Sequence, residues 1–213
     1  MAGQNLNDKA YERIKQMMFN YELVPGQRLT FADLADKLGV SRTPVNNALT
    51  ILAKEGFLDF EPNHGYTVHQ LTREEADSLY EVREILELGA IEKAIENATS
   101  DKLKGLERRK NAFDQSVVQN TRRGRFFLDQ DFHAYIVEMS GNRYLAEYFR
   151  EIYQRIFLRH RINQYRGDRA QQVPAEHQEL FDAIRQRDVE AAKQVISHHI
   201  HAGKQYIYSF IFD

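Results

Sequence analysis

Residues 30–56, TFADLADKLGVSRTPVNNALTILAKEG, leave the chain few choices of local fold. Thr30 is a fitting N-cap for a short helix that carries Phe31, Leu34, Ala35 and Leu38 on one stripe, and Gly39 is the terminator. Val40 leads straight to Ser41, which can cap a second helix; Pro44 falls in that helix's first turn, where it is tolerated, and Gly56 ends it. Two short helices joined by a tight, glycine-containing turn form a helix-turn-helix, whose second helix can enter a DNA major groove. Upstream, NDKAYERIKQMMFNYEL places Ala10, Tyr11, Ile14, Met17, Met18 and Tyr21 on one helical face before VPGQ stops it. Downstream, FLDFEPNHGYTVHQL reads as two short strands around the turn residues Pro62, Asn63, His64 and Gly65, which completes a winged helix. The same geometry also occurs in proteins that never touch DNA.

Net charge does not decide between those readings. Residues 1–70 hold seven Lys and Arg against eight Asp and Glu, and the remainder holds 22 against 23. A nucleic-acid role must therefore rest on where individual residues stand. The 42% hydrophobic and 28% charged residues are ordinary for a soluble globular chain. A length of 213 residues suits a small domain followed by a larger one, and we place the boundary at 70/71. No apolar run approaches the roughly 18 residues needed to span a bilayer. The start, MAGQNLNDKAYERIK, lacks the basic and apolar regions of a signal peptide, which points to the cytoplasm. With no cysteine, any metal must be held by His and carboxylates.

The fold expected is mostly α: an N-terminal winged helix-turn-helix followed by an all-α, six-helix antiparallel bundle. The first bundle helix opens at LTREE, with Thr72 and Glu75 as a capping-box pair, and runs to about Ala98. Five more follow at about 101–120, 124–140, 142–165, 174–187 and 188–210, with Pro174 at a first helical position and Gly141 just past a helix end.

Several polar residues fall on the apolar faces of these helices. Successive helical residues rotate by about 100°, so Asp129, His133, Ile136 and Ser140 share one stripe, flanked by Phe126, Phe132 and Val137. His177 shares its face with Leu180, Phe181 and Ile184. In SHHIHAGK the apolar face comprises Ala192, Ile196, Gly203, Tyr206, Ile207 and Phe210; His199 lies near its centre, with His198 about 120° away and His201 on the opposite side. Three inward imidazoles and one inward carboxylate suit Zn²⁺, Ni²⁺, Mn²⁺ or Fe²⁺, with positions left open if five or six ligands are bound. The alternative for each residue alone is a core polar group satisfied by a hydrogen bond. Four together at inward positions favour the metal.

Residues 25–68, PGQRLTFADLADKLGVSRTPVNNALTILAKEGFLDFEPNHGYTV, resemble the DNA-binding domain of GntR-family transcription regulators. The resemblance implies that Arg42 and Thr43 contact phosphate and base, and that Gly65 forms the wing tip. Where the family usually has Arg after the Pro-Val pair, this chain has Asn46, followed by Asn47 rather than Glu. Arg pairs bidentately with guanine and Asn with adenine; either the operator differs at that base or Asn46 makes no base contact. LYEVREILELGAIEKA, LDQDFHAYIVEMSGN, EHQELFDAIRQRDVEAA and the later HHI resemble the FCD effector-binding domain of the FadR subgroup, and six helices suit its VanR-like branch. That resemblance matches Asp129, His133, His177 and His199 to the family's metal pattern. It also makes Arg83 the arginine that reaches into the effector pocket, where a guanidinium would grip a small carboxylate; the alternative is a solvated pair with Glu87 at i+4. Arg155 and Arg159 are one turn apart on a helix that could border the pocket. The aromatic tail YIYSFIF is read as packing, against a partner subunit or the winged helix.

These readings describe a DNA-binding transcription regulator, a repressor, that is homodimeric because one recognition helix reads only a half-site of a pseudo-palindromic operator. A small organic acid bound through a metal ion and Arg83 would control it. The competing class is a metal-dependent hydrolase using the same His-rich site, against which stands the lack of an inward general base beyond the ligands.

Overall fold

The computed structural model of the protein describes residues 5–118, 125–158 and 168–211. The chain folds as two compact units, the first closing at Thr72 and the second opening at Arg73.

The first unit is a winged helix-turn-helix. It contains α1 (Leu6–Phe19), β1 (Arg28–Leu29), α2 (Phe31–Leu38), α3 (Arg42–Lys54), β2 (Leu58–Glu61) and β3 (Gly65–Val68). Ala10, Ile14, Met17 and Met18 of α1 are buried, as are Val45, Ala48, Leu49 and Leu52 of α3, and the two helices pack together. Thr30 caps α2 by accepting from the Asp33 N–H at 3.2 Å, and Gly39 ends that helix at φ +64°. Ser41 stands at the N-cap of α3, but its side chain makes no capping hydrogen bond, contrary to expectation. The three strands are antiparallel in the order β1-β3-β2. β1 is too short for alternation to show in sequence; it exists because Arg28 and Leu29 pair with Thr67 and Tyr66 of β3.

The second unit is a bundle of six helices among the described residues: α4 (Arg73–Glu96), α5 (Ser100–Val118), α6 (Arg125–Met139), α7 (Arg143–Leu158), α8 (Asp168–Gln186) and α9 (Val189–Ile211). The ends expected for α5 at 119–120, for α6 at 124 and for α7 at 159–165 lie outside the described residues, as does Arg159. α6 has no solvated face over most of its length: Phe132, His133, Ala134, Ile136, Val137 and Met139 are all buried. Ile136 joins a core with Ile91, Leu106, Leu180 and Ile196, while Val137 joins Ala90, Phe149 and Tyr153.

α8 begins before Pro174 rather than at it, so that Pro174 lies inside the helix. The added turn carries Arg169, whose guanidinium forms a buried ion pair with Glu176 and donates to the His199 carbonyl at 3.1 Å. Those contacts, invisible to a local reading of Pro174, offset the missing proline N–H. Tyr208 of the aromatic tail is tied to its own bundle: its hydroxyl lies 3.2 Å from the Arg73 carbonyl and donates to Asp77 at 2.8 Å.

Candidate metal centre

Four side chains from α6, α8 and α9 converge inside the bundle. Asp129, His133, His177 and His199 each present one donor atom, and these atoms all lie within 4.8 Å of one another. His133, His177 and His199 are 0, 1 and 5% exposed, so the imidazoles are withdrawn from water by the apolar residues of their own helices. His198 and His201 are exposed and instead line a groove of about 590 Å³ with Glu81 and Glu84.

Orientation of the rings comes from carboxylates behind them. Glu87 of α4 holds His133 Nδ1 at 2.6 Å, and Glu176 of α8 holds His199 Nδ1 at 2.7 Å. Both carboxyls are depressed to about 2: burial alone would raise them, but His133 and Arg83 hold Glu87 ionised, and His199 and Arg169 hold Glu176 ionised. An ionised carboxylate only accepts, so each Nδ1 carries a proton, and a neutral ring held this way turns its Nε2 lone pair inward. The two Nε2 atoms then face each other at 3.1 Å.

The third imidazole is oriented by packing. His177 stacks on Phe132 with ring centroids 4.2 Å apart and meets the edge of Phe113 at 4.9 Å. Its Nε2 lies 3.1 Å from Asp129 Oδ1, close enough for an electrostatic contact, and its Nδ1 has no hydrogen-bond partner among the described residues. Tyr153 of α7 donates to Asp129 Oδ2, which leaves Oδ1 for the centre. Burial alone would raise the Asp129 carboxyl, but the surrounding imidazoles, His177 first, hold it well below the usual range. Burial pushes His177 down and His199 down to about 3, so both rings are neutral near pH 7.

A borderline divalent cation fits this donor set. Neutral imidazoles, an ionised aspartate, carboxylates behind two of the rings and an unpartnered buried His177 nitrogen are what such an ion needs. The chain lacks the cysteines that would select for a soft ion.

Arg83 of α4 is next to this cluster and buried, in contrast to a solvated i+4 pair. Its Nε donates to Glu87 Oε1 at 2.7 Å, its guanidinium lies over the Tyr153 ring at 4.6 Å, and one terminal NH₂ has no partner among the described residues. Burial alone would lower its pKa, but Glu87 raises it, so the charge is fixed. Arg155 pairs with Glu151 at 2.6 Å along α7. Glu87, Glu176 and Tyr153 escape a reading that looks for ligands alone. For Glu87 a signal existed: Tyr80, Arg83, Glu87, Ala90 and Ala94 follow the three-and-four spacing of α4's inner face.

In the winged helix, Arg42, Thr43 and Asn46 are exposed at the start of α3, and Gly65 stands at φ +85° beside the Asn63–His64 turn. Asn47 is turned aside, donating to the Asn7 side chain at 3.3 Å.

The family model for bacterial regulatory proteins of the gntR family matches residues 6–68, and the FCD domain model matches residues 78–202. The chain belongs to the GntR family. It is a DNA-binding transcription regulator with an FCD effector-binding domain, in a family of regulators rather than enzymes. The HTH-type transcriptional regulator YdhC of Bacillus subtilis (strain 168) is 33% identical over 194 residues, 90% of this chain and 86% of that protein. The Nta operon transcriptional regulator of Aminobacter aminovorans is 35% identical over 141 residues, 66% of each chain. The solved structure of E. coli McbR/YncC shares the fold with a TM-score of 0.83 at 22% identity, covering 97% of this chain and 98% of that one. No described helix is long and apolar enough to cross a membrane.

Proposed function

We propose that this GntR regulator is a homodimeric repressor whose operator affinity is set by a small organic acid bound at a divalent metal centre. Residues 1–70 form its DNA-binding domain and residues 71–213 its effector-binding and dimerisation domain. The observation that carries this reading is the convergence of four donor atoms within 4.8 Å beside a buried guanidinium whose NH₂ has no partner among the described residues.

Asp129, His133, His177 and His199 would hold the ion, which is Zn²⁺, Ni²⁺, Mn²⁺ or Fe²⁺. When bound, the ion supplies an electrophilic point for a carboxylate at an open coordination position. Arg83 provides the complementary grip through its unpartnered NH₂, and because Glu87 already occupies its Nε, one edge of the guanidinium is left for the acid. Phe132 and Phe113 around His177 keep the imidazole side of the site dry, which strengthens both attractions.

In the winged helix, Arg42 and Thr43 would anchor the recognition helix to phosphate and base, Asn46 would face the base edges, and Gly65 would let the wing approach the backbone. Dimerisation follows from half-site reading. The acid changes operator affinity by its differential affinity for the DNA-competent and DNA-incompetent states.

The test is a titration of small organic acids against a complex of the full chain with its selected operator, in the presence of metal. An acid that releases the operator without being consumed supports the regulator. Metal-dependent turnover of the acid, or DNA binding that is absent or insensitive to salt, would sink it.

A further inference from the structure

Glu87 is engaged at both ends. Its Oε1 accepts from Arg83 Nε at 2.7 Å, and its Oε2 accepts from His133 Nδ1 at 2.6 Å, with all three side chains buried. The other carboxylate behind an imidazole, Glu176, contacts His199 and Arg169 and does not touch Arg83. The two carboxylates thus perform the same service for different rings, but only one is also joined to the Arg83 guanidinium.

Resting on the metal-and-acid reading above, we infer that Glu87 is a positioning residue that couples acid binding to metal binding, because one carboxylate aims both the Arg83 guanidinium and the His133 ring. Arg83 has its Nε committed to Glu87 and one NH₂ without a partner among the described residues; the Tyr153 ring beneath fixes the plane of the guanidinium, and the Glu87 bond sets which edge that NH₂ presents. His133 is fully buried and offers Nε2 to the centre only while Nδ1 is held from behind. A glutamine in place of Glu87 has one acceptor oxygen for two donors, and its amide would point a hydrogen at one of them. An aspartate keeps the charge but is one methylene shorter and cannot span both partners. In either case one of the two groups loses its aim, and the binding of acid and ion, which is reciprocal by linkage, becomes less interdependent.

The experiment measures Mn²⁺ affinity of the full chain by competition with a chelating dye, with and without succinate, which chelates free Mn²⁺ only weakly. The wild-type chain should bind Mn²⁺ more tightly in succinate by a factor of about 5–150, the usual range for coupled sites. Glu176→Gln should weaken Mn²⁺ by roughly 10–100-fold and keep the succinate factor. Glu87→Gln should weaken Mn²⁺ by a similar amount and bring the succinate factor close to one. If Glu87→Gln does not fold, Glu87→Asp reads the same link, and its succinate factor should also collapse. A Glu87 variant that keeps the wild-type factor overturns the coupling, and so does a wild-type chain that binds Mn²⁺ identically with and without succinate. A wild-type chain whose Mn²⁺ binding is absent, or unchanged by Asp129→Ala, instead overturns the metal reading itself.

Discussion

His133 and His199 turn their Nε2 atoms toward each other at 3.1 Å while a different glutamate holds each ring from behind. Two inward lone pairs at that distance would repel, and either a shared proton or a cation relieves the repulsion; burial disfavours the proton on His199, and the Asp129 carboxylate beside both rings favours the cation. A chain purified without chelators should therefore carry a divalent ion. His199→Ala should reduce its affinity by more than the roughly 10–100-fold expected for loss of an outer partner. His201→Ala, exposed on the other side of α9, should leave it unchanged. Elemental analysis and chelator competition measure both, and equal losses from the two variants would show that the centre is not built on the inner face of α9.

The metal-free bundle should lose stability as the pH falls from 7 to 5. His199 is depressed to about 3 when folded, so between that value and the unfolded value of roughly 6.5 the unfolded chain binds a proton that the folded chain refuses. His177 shifts in the same direction. Glu87 and Glu176, depressed to about 2, contribute stability above the usual carboxylate range and lose it only as the pH falls through about 4.5 toward 2. The window from 7 to 5 thus isolates the imidazoles, and the expected loss is on the order of 1–2 kcal/mol. Urea melts of chelator-treated protein across this range should show a shallower slope for His199→Ala; an unchanged slope would remove His199 from the account.

Most of the candidate centre is legible in sequence because helical periodicity tells inward from outward. Asp129, His133, His177 and His199 lie on stripes shared with large apolar residues, and that spacing alone separates His199 from His198 and His201. Glu87 is harder: its spacing with Tyr80, Ala90 and Ala94 puts it on the inner face of α4, but a glutamate four residues after an arginine also reads as a solvated pair, and only the packing of α6 against α4 decides between the two. Glu176 has the same difficulty, since its partner Arg169 precedes a proline that suggests a helix start. β1 escapes for a related reason. Two residues carry no alternation, and only their pairing with β3 makes them a strand.

Two glycine substitutions should act with opposite sign. Gly39 stands at φ +64° with no described atom within 4 Å of where an alanine Cβ would stand, so Gly39→Ala meets no clash and bears only the left-handed backbone cost, about 1–2 kcal/mol. Gly89 lies inside α4, exposed, also with open space around a Cβ, so Gly89→Ala should stabilise the helix by roughly 0.5–1 kcal/mol. Denaturant unfolding followed by circular dichroism reads both changes, and a stabilising Gly39→Ala would mean that the α2–α3 turn relaxes out of the left-handed conformation.

Asn46 offers a test of base reading that is independent of the metal centre. It is exposed on α3 one turn after Arg42, where the family usually has arginine, and its side chain is open to solvent while that of Asn47 is tied to Asn7. Asn pairs bidentately with adenine and Arg with guanine, a discrimination of about 1–3 kcal/mol per base. Selection of operator sequences from a random pool by the wild-type chain and by Asn46→Arg should return motifs that differ at one position in each half-site, adenine giving way to guanine. The phosphate anchoring proposed for Arg42 is untouched in this variant, so the change that decides the question is the base selected at that position; the added guanidinium can raise overall affinity and its salt dependence at any sequence. Identical selected motifs would mean that Asn46 reads no base, and specificity at that position would then have to come from Thr43 or from the shape of the duplex.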